Sequence, residues 1–340
     1  MIGKQRKPDA GILEECLQRG DLEGIRKGEI TAFMMYFDRL HTKRITLREV
    51  LENGPEFIPC VYDAITAMIA EKRGFHAMCF SGANFAAYYA GVPDIGLVTP
   101  TETRTMVSNI TKVTNIPMIV DIDTGYGNEL NAIRTAVDMA EAGAMAVHLE
   151  DQAFPKRCGH LNGKTVIPRE EYIRKVRAVA DALKGSDCML IARTDSCLEY
   201  GIEEAIERNK QSLEAGADIA FTEGARTKAD IERVAKEVDG WNMFDMCHGG
   251  ASPDLTFEEL VQMGYRLVTC PTLPVAAMNK FREETQKVFD VKNDFFLNGF
   301  KENCMNGLGF FEFLGIAEWY EQGQKYDPNM TTASHTDALD

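Results

Sequence analysis

Short apolar runs recur along the middle of the chain, and each is followed by a turn and a segment with helical periodicity. There are eight of these runs: FIPCVY (57–62), HAMCFS (76–81), IPMIVDID (116–123), AMAVHLED (144–151), DCMLIART (187–194), ADIAFTEG (217–224), NMFDMC (242–247) and YRLVTCP (265–271). Apolar strands that alternate with amphipathic helices are typical of a parallel sheet covered on both faces. Eight such units predict an α/β fold, a closed (β/α)8 barrel of the TIM type.

The segments between the runs read as helices. Residues 132–143 (AIRTAVDMAEAG) and 201–216 (GIEEAIERNKQSLEAG) both end at a glycine, which is a common helix stop signal. The alternative fold is an open doubly wound sheet, which places a glycine-rich phosphate loop after its first strand. The sequence at that point, VYDAITAMIAEKRG, contains no such loop, so the closed barrel is favoured.

Three further segments flank the predicted barrel domain, which we place at residues 51–290. Residues 1–50 are charged and helix-prone, and we expect an N-terminal helical extension there. Residues 291–326 are rich in aromatic side chains, so we expect a C-terminal helical segment that packs on a partner subunit. Residues 327–340 are polar, which predicts a flexible tail.

Composition and charge narrow the function classes. The 340-residue chain is 45% hydrophobic and 26% charged, as expected for a globular protein. Its net charge of −15 argues against nucleic-acid and anionic-membrane partners, which need a basic surface. The nine cysteines show no disulfide-scaffold spacing, and no apolar signal segment precedes them. We therefore expect reduced thiols and a cytoplasmic location.

Polar and ionisable residues follow the apolar runs where each strand should end. They are Ser81, Gly82 and Ala83 after the second run, Asp121 and Asp123 in the third, His148, Glu150 and Asp151 in the fourth, Arg193 in the fifth and Glu223 in the sixth. Unpaired charges inside a strand are costly to bury, whereas the carboxyl ends of barrel strands form the catalytic face. The pattern therefore predicts one site at that rim.

Asp121 and Asp123 are two residues apart, so on a strand both side chains can point to one face. With Glu150 or Asp151 they would form an all-oxygen site of the kind that Mg²⁺ prefers, with Mn²⁺ as the alternative ion. The D-x-D spacing alone is also typical of capping and turn aspartates. Glu150 on the next strand favours the metal interpretation.

The loop after the fourth run contains the segment FPKRCGH (154–160). Cys158 is flanked there by Lys156, Arg157 and His160, and nearby positive charge lowers a thiol pKa. We expect this thiol to exchange a proton with a substrate. The alternatives are a basic surface loop with an incidental cysteine, and a Cys–His hydrolase, for which no oxyanion elbow is visible.

Together these motifs resemble the isocitrate lyase/phosphoenolpyruvate mutase superfamily over about residues 50–290. The segments that carry the resemblance are SGANFAAYYAGVPDIGLVT (81–99), VDIDTGYGN (120–128), VHLEDQAFPKRCGH (147–160), IARTDS (191–196) and FTEG (221–224). The K-R-C-G-H loop is similar to that of the methylisocitrate lyase-like branch rather than the phosphonate-processing branch.

The resemblance implies a TIM barrel whose last helix is exchanged between subunits of a homotetramer. It also implies the site roles: Asp121, Asp123 and Glu150 hold Mg²⁺, with Asp94 and His148 around them; Ser81, Gly82, Ala83 and Gly159 bind the substrate; Arg193, Cys158, His160 and Glu223 take part in catalysis. The substrate is expected to be a small di- or tricarboxylate.

Three positions depart from the methylisocitrate lyase pattern. Cys79 stands where those enzymes have a tyrosine linked to hydroxyl deprotonation, which leaves the base unassigned. Asp245 stands in place of a substrate-binding asparagine, where a carboxylate repels a substrate carboxylate unless it is paired. Ala277 aligns with an arginine that grips a distal carboxylate, and its loss favours a shorter diacid.

The sequence therefore predicts a Mg²⁺-dependent carbon–carbon lyase. We expect it to cleave a 2-hydroxy dicarboxylate, dimethylmalate-, alkylmalate- or methylisocitrate-like, to a 2-oxo acid such as pyruvate plus a second carboxylate. Metal and Arg193 favour the alkoxide, retro-aldol cleavage follows, and Cys158 protonates the released carbon. The alternative is an oxaloacetate-type carbon–carbon hydrolase. A non-enzymatic binding protein is disfavoured, since binding alone needs no reactive thiol.

Overall fold

The computed structural model describes Tyr36, His41 and residues 43–293 and 309–327. The chain divides into two compact units, residues 43–274 and the two chain ends taken together. The expected N-terminal helical extension lies almost entirely outside the described residues. The four-segment division of the chain, with boundaries at residues 50, 290 and 326, stays a prediction.

Eight parallel strands close into a barrel in sequence order, with β1 paired to both β2 and β8. The strands are β1 Glu56–Val61, β2 Met78–Phe80, β3 Met118–Asp121, β4 Ala146–Glu150, β5 Met189–Thr194, β6 Ile219–Thr222, β7 Trp241–Asp245 and β8 Leu267–Cys270. Each strand falls within one of the eight apolar runs or differs from it by one residue at an end. The predicted closed barrel is confirmed.

Helices separate the strands, as the periodicity predicted. The helices of the described chain are α1 Leu47–Asn53, α2 Ala64–Lys72, α3 Gly82–Phe85 followed by a π-helix Ala86–Ala90, α4 Pro100–Val113, α5 Glu129–Glu141, α6 Arg169–Leu183, α7 Cys197–Tyr200, α8 Ile202–Glu214, α9 Lys228–Glu237, α10 Phe257–Met263, α11 Leu273–Val291, α12 Gly309–Phe313 and α13 Ile316–Gln324. None of them combines the length and the apolar composition needed to cross a bilayer.

Side-chain caps fix where several of these helices begin. Thr46, Asp63, Thr99 and Thr256 each accept a hydrogen bond from the backbone three residues later, and that residue's side chain bonds back to the cap. Such reciprocal capping satisfies two backbone donors that the helix leaves free. Asp63, Thr99 and Thr256 lie in the connections that follow β1, β2 and β7, so these caps help to fix where those connections end, whereas Thr46 caps α1 ahead of the first strand.

The interior of the barrel is filled by alternate residues of the strands. Ile58 and Cys60 of β1, Ile119 of β3, Ile191 of β5 and Met243 of β7 are all buried in one cluster. Successive side chains of a strand point alternately into and out of the barrel, so the next inward-facing residue after each of these lies closer to the carboxyl rim. The apolar interior therefore ends in a layer of inward polar groups, which form the site.

Candidate active site

Three carboxylates stand at the carboxyl ends of β3 and β4. Asp121 is the last residue of β3 and Glu150 is the last of β4, whereas Asp123 lies beyond the strand. The chain leaves the strand at Ile122, and Asp123 adopts a left-handed φ of 48°. The expectation that both aspartates lie on one strand face was therefore wrong. They are brought together by a turn, in which the Asp123 N–H donates to Oδ1 of Asp121 at 3.0 Å.

The turn after β3 is held by a buried lysine. Lys175 of α6 donates from Nζ to the carbonyl oxygens of Thr124 and Gly127, at 3.1 and 3.0 Å. Gly125 has a φ of 80°, and a side chain there would lie 2.6 Å from the Cβ of Ala132. Both features fix the backbone that presents Asp123 to the barrel mouth.

Asp121 is surrounded by hydrogen-bond donors and positive charge. Nε2 of His148 lies 2.7 Å from its Oδ1, and the Gly82 N–H donates to its Oδ2 at 3.2 Å. Burial alone would raise the pKa of Asp121, but His148, Lys156 and Arg193 outweigh burial and lower it. The pKa of Asp123 is raised to about 6, mainly by burial, although Lys156 opposes the rise.

Lys156 joins two of the acidic groups. Its Nζ lies 2.6 Å from Oδ1 of Asp94 and 2.8 Å from Oδ1 of Asp123, and only 1% of its side chain is exposed. From the sequence we treated this lysine only as a neighbour of the Cys158 thiol. No local sequence signal distinguishes it from an exposed loop lysine, so its place in the site was missed.

Glu150 is the least compensated of the three carboxylates. Its side chain is 1% exposed, its nearest cationic atom is Nη2 of Arg193 at 3.5 Å, and neither of its oxygens has a hydrogen-bond partner among the described residues. Burial raises the pKa of Glu150 well above its usual range. Unpartnered carboxylate oxygens beside Asp121 and Asp123 fit a hard divalent cation.

Arg193 of β5 is held in a fixed direction by Asp195. Its Nε and Nη2 donate to the two oxygens of Asp195, at 2.9 and 3.0 Å, and its Nη2 lies 3.5 Å from Glu223. The guanidinium stands over the Phe221 ring, 5.5 Å from the ring centre. The sequence placed Asp195 at this rim, directly after the fifth run, but assigned it no role.

The loop that carries Cys158 lies on the same rim. A Cβ added at Gly159 would lie 2.3 Å from Nη2 of Arg193 and 2.4 Å from Cγ of Glu223, so the loop backbone contacts the barrel mouth there. Lys164, buried and not anticipated, donates to the carbonyl oxygen of Gly159. Cys158 therefore stands between Lys156, which contacts Asp123, and Gly159, which contacts Arg193.

The expected lowering of the Cys158 pKa was wrong. Burial raises the pKa of this thiol, and the negative charges of Asp94 and Glu223 raise it further, against the hydrogen bond from the His160 backbone. Arg157 is exposed and turns toward the carbonyl oxygen of Asn162, at 3.4 Å. A thiol that keeps its proton suits a proton donor better than a nucleophile.

His160 links the Cys158 loop to β6 and β7. Its Nε2 lies 3.3 Å from Oε1 of Glu223 and 3.5 Å from Oδ2 of Asp245, and its Nδ1 accepts the Ala251 N–H at 3.1 Å. Asp245 also accepts a hydrogen bond from Thr269 of β8. The carboxylate that departs from the family pattern is therefore paired.

The other positions singled out from the sequence lie in three places: at the start of α3, in the barrel interior and on α11. Ser81 caps α3, Gly82 and Ala83 begin that helix, and Gly82 touches Asp121. Cys79 is buried in the barrel interior, where it is in register with Cys60. Ala277 is an exposed residue of α11. The structure thus brings the predicted rim residues together, while Ala277 belongs to the other compact unit.

Comparison with known proteins identifies relatives that match most of the chain. The family model described as phosphoenolpyruvate phosphomutase matches residues 37–289. A chloroplastic carboxyvinyl-carboxyphosphonate phosphorylmutase from Arabidopsis thaliana is 37% identical, over 82% of this chain and 83% of its own. A 2,3-dimethylmalate lyase from Eubacterium barkeri is 33% identical, over 82% and 96% of the two chains. A 2-methylisocitrate lyase from Aeropyrum pernix is 36% identical, over 73% and 80%.

Solved structures agree with these matches. A crystal structure of 2,3-dimethylmalate lyase is similar with a TM-score of 0.77 and 31% identity, covering 87% of this chain and 95% of the other. Oxaloacetate acetylhydrolase, solved with 3,3-difluorooxalacetate, also has a TM-score of 0.77, at 30% identity and with coverages of 87% and 98%. The chain therefore belongs to the phosphoenolpyruvate mutase/isocitrate lyase superfamily.

Proposed function

We propose that this protein is a Mg²⁺-dependent lyase that cleaves the carbon–carbon bond of a 2-hydroxy dicarboxylate. The products are a 2-oxo acid, such as pyruvate, and a second carboxylate. The observation that carries the proposal is the meeting of three buried carboxylates with a protonated thiol and an oriented arginine at one rim. Relatives named 2,3-dimethylmalate lyase and 2-methylisocitrate lyase supply the substrate class.

The donor set fits a divalent cation. Asp121, Asp123 and Glu150 would hold Mg²⁺ or Mn²⁺, because they offer oxygen ligands, and the oxygens of Glu150 have no hydrogen-bond partner in the described chain. Such an ion supplies Lewis-acid chemistry, which lowers the pKa of a hydroxyl group bound beside it.

The chain's own residues account for the other requirements of the reaction. Arg193, fixed by Asp195, presents a positive charge toward the substrate oxygens. The Cys158 thiol delivers its proton to the carbon that is released as a carboxylate-stabilised carbanion. The loop that bears Cys158 packs against Arg193 and Glu223 at Gly159, and a loop in this position would limit the access of water to the carbanion.

The proposal is tested by incubating the purified protein with Mg²⁺ and separate 2-hydroxy dicarboxylates, and following the products by NMR. We expect a 2-oxo acid and a second carboxylate from 2,3-dimethylmalate or a similar alkylmalate, with 2-methylisocitrate as the next substrate. Loss of the reaction on removal of the metal with a chelator, and its return with Mg²⁺, is the accompanying control.

The second candidate is hydrolysis of oxaloacetate, favoured by the structural similarity to oxaloacetate acetylhydrolase. In that reaction a water attacks the oxo carbon, while the metal carboxylates and Cys158 keep their places. Oxalate plus acetate from oxaloacetate, without cleavage of any 2-hydroxy dicarboxylate, would establish the hydrolase and reject the lyase.

The proposal also includes assembly and location. We expect a cytoplasmic homotetramer that exchanges its C-terminal helical segment between subunits and acts on small carboxylates. The described part of this segment, α12 and α13, carries exposed aromatic residues such as Phe311 and Trp319, which a partner subunit would cover.

A further inference from the structure

The loop that carries Cys158 is closed at its base by backbone contacts. Gln152, just beyond the end of β4, forms an antiparallel bridge with Val166, and the Ala153 N–H donates to the Thr165 carbonyl oxygen at 2.8 Å. These contacts fix the two ends of the loop to each other. They lie several residues from Cys158 on either side, so the position of the thiol depends on further contacts at the tip.

A buried amide holds the chain on the amino-terminal side of Cys158. Oε1 of Gln152 accepts the Arg157 N–H at 2.9 Å, and Nε2 of the same side chain donates to the Arg157 carbonyl oxygen at 2.8 Å. One side chain thus satisfies both backbone groups of the residue before Cys158, as a neighbouring strand would. A carboxylate could accept the first of these bonds but could not donate the second.

A buried ammonium group holds the chain on the other side of the thiol. Nζ of Lys164 donates to the carbonyl oxygen of Gly159, and none of the lysine side chain is exposed. A charge buried in this way is costly unless it is paired. The same Nζ lies 3.6 Å from Oδ1 of Asp195, and this Oδ1 also accepts a hydrogen bond from Nη2 of Arg193 at 3.0 Å. Asp195 is therefore shared by the arginine and by the lysine that holds the loop.

We propose that Gln152 and Lys164 are positioning residues for the proton donor, and that Lys164 and Asp195 together hold the Cys158 thiol at a fixed distance from Arg193. The proposal rests on the proposed cleavage of a 2-hydroxy dicarboxylate, in which Arg193 binds the substrate and Cys158 protonates the released carbon. Proton transfer needs the donor within hydrogen-bond reach, so a small displacement of the loop removes most of its effect.

Alkylation of Cys158 by iodoacetamide reports the position of the loop without any substrate. Its rate is measured by mass spectrometry of the peptide that contains Cys158, for the wild type, Gln152→Leu, Lys164→Met and Arg226→Met. Arg226 is exposed, and its guanidinium lies 3.4 Å from the side-chain oxygen of Asn162 on the same loop. Its variant therefore controls for the loss of a surface contact to the loop.

We expect Gln152→Leu and Lys164→Met to be alkylated at Cys158 at least about tenfold faster than the wild type, because a loop that leaves the rim exposes the buried thiol. Arg226→Met should react at the wild-type rate. Cys270, partly exposed at the end of β8, is the internal reference, since a general loosening of the protein would accelerate its alkylation too. Gln152→Leu changes no charge, so it keeps the test available if Lys164→Met does not fold.

Turnover is measured on the same variants. Arg193 keeps both of its bonds to Asp195 when Gln152 or Lys164 is replaced, so substrate binding should be retained while protonation slows. We expect kcat to fall at least about tenfold, with KM within about threefold of the wild-type value. A rise in KM with unchanged kcat would place the two residues in substrate binding and overturn the positioning role.

An unchanged rate of Cys158 alkylation in a folded Gln152→Leu protein would also overturn the proposal, as would faster alkylation with wild-type kcat. Equal acceleration at Cys270, or the same acceleration in Arg226→Met, would reject it because the effect would not be specific to these contacts. Selective acceleration in a protein that cleaves no 2-hydroxy dicarboxylate would refute the lyase and leave the holding of the loop intact. Cleavage with unchanged alkylation would do the reverse.

Discussion

At the residue scale, Cys158 shows what sequence neighbours can and cannot predict. Its position beside two basic residues predicted a lowered pKa, but Arg157 turns away to Asn162 and Lys156 is engaged by Asp94 and Asp123. Burial then dominates and the pKa rises. The sequence supplied the residue and its loop, whereas the direction of the flanking side chains depends on contacts distant in sequence.

Removal of the Cys158 thiol should separate chemistry from binding. We expect Cys158→Ala to lose at least about 100-fold in kcat, because positioned acids contribute about 10²–10⁴-fold, while calorimetry still detects Mg²⁺ and substrate. Cys188→Ala, which removes a thiol next to the start of β5 at the other end of the barrel, should keep near wild-type kcat. Undiminished turnover by Cys158→Ala would remove the proton-donor role.

The raised pKa of Cys158 also determines the direction in which kcat should change with pH. A donor is active while protonated, so raising its pKa above the usual value of 9.0 extends activity to higher pH. We expect kcat to fall only above about pH 9 and to follow loss of the thiol proton, measured by ultraviolet absorbance of the thiolate. A fall that begins well below that pH, with thiolate already present, would contradict this assignment.

Glu150 tests the metal site separately from the thiol. We expect Glu150→Gln to weaken Mn²⁺ binding, followed by the paramagnetic resonance of the free ion, by at least about tenfold, because a neutral amide replaces a carboxylate ligand. The matched change Glu258→Gln, at an exposed residue of α10, should leave binding unaltered. If both proteins bind Mn²⁺ equally, Glu150 is not a ligand.

Gly159 should tolerate no side chain. An added Cβ would meet Nη2 of Arg193 at 2.3 Å and Cγ of Glu223 at 2.4 Å, so Gly159→Ala must displace the loop or the arginine. We expect kcat/KM to fall by about 10²-fold or more, since small displacements of reacting groups cost that much, with little change in Tm. Gly240→Ala is the control, since its Cβ would meet only the tip of the flexible Leu213 side chain.

At the element scale, the strands were predictable and the turns were not. Each strand is a short apolar run because it is buried on both faces, and this burial is visible in the sequence. The turn after β3 depends instead on Lys175, which lies some fifty positions along the chain and hydrogen-bonds the turn's carbonyl oxygens. No local pattern near Asp123 contains that information, so the sequence placed this residue on the strand.

A second buried contact joins α8 to the end of β4. Nη1 of Arg208 lies 3.0 Å from Oδ2 of Asp151, and Asp151 also accepts hydrogen bonds from Thr194 and the Asp195 backbone. Removing one partner of a buried ion pair leaves an uncompensated charge. We therefore expect Arg208→Met to reduce the free energy of unfolding by about 3–5 kcal/mol, measured by urea denaturation.

The same variant should be partly rescued by acid. Burial raises the pKa of Asp151 to about 6 in spite of Arg208, and loss of the arginine raises it further. A carboxyl whose pKa is higher in the folded state takes up its proton first in that state, so lowering the pH toward about 5.5 stabilises the variant relative to the wild type. Arg233→Met, which breaks only surface ion pairs, should show neither the loss nor the rescue.

At the scale of the whole molecule, the proposed assembly concerns the part of the chain beyond residue 274. Along α11 only Pro274 is buried among the described residues, and Phe281 and Phe289 are 76% and 66% exposed. The sequence indicated a partner for the aromatic segment that follows, from the number of its apolar residues. It could not indicate that exposed phenylalanines begin earlier, since α11 also carries many charges.

We expect Phe281→Asp combined with Phe289→Asp to dissociate the assembly, because charged groups cannot remain in a buried apolar interface. Sedimentation velocity should show a large assembly for the wild type and smaller species for the double variant. Glu283→Ala, an exposed change on the same helix, is the control. A wild-type protein that sediments as a monomer would reject both the tetramer and the exchanged segment.

The pairing of β1 with β8 limits how copies of this protein can meet. Within residues 43–274 every barrel strand has a neighbour on both sides, so this part of the molecule offers no row of free backbone groups to a strand from elsewhere. Growth of a continuous intermolecular sheet through the barrel would first require two hydrogen-bonded ladders to separate. Contacts between native barrels must therefore be made by side chains on helices and loops, so single substitutions can strengthen or remove them.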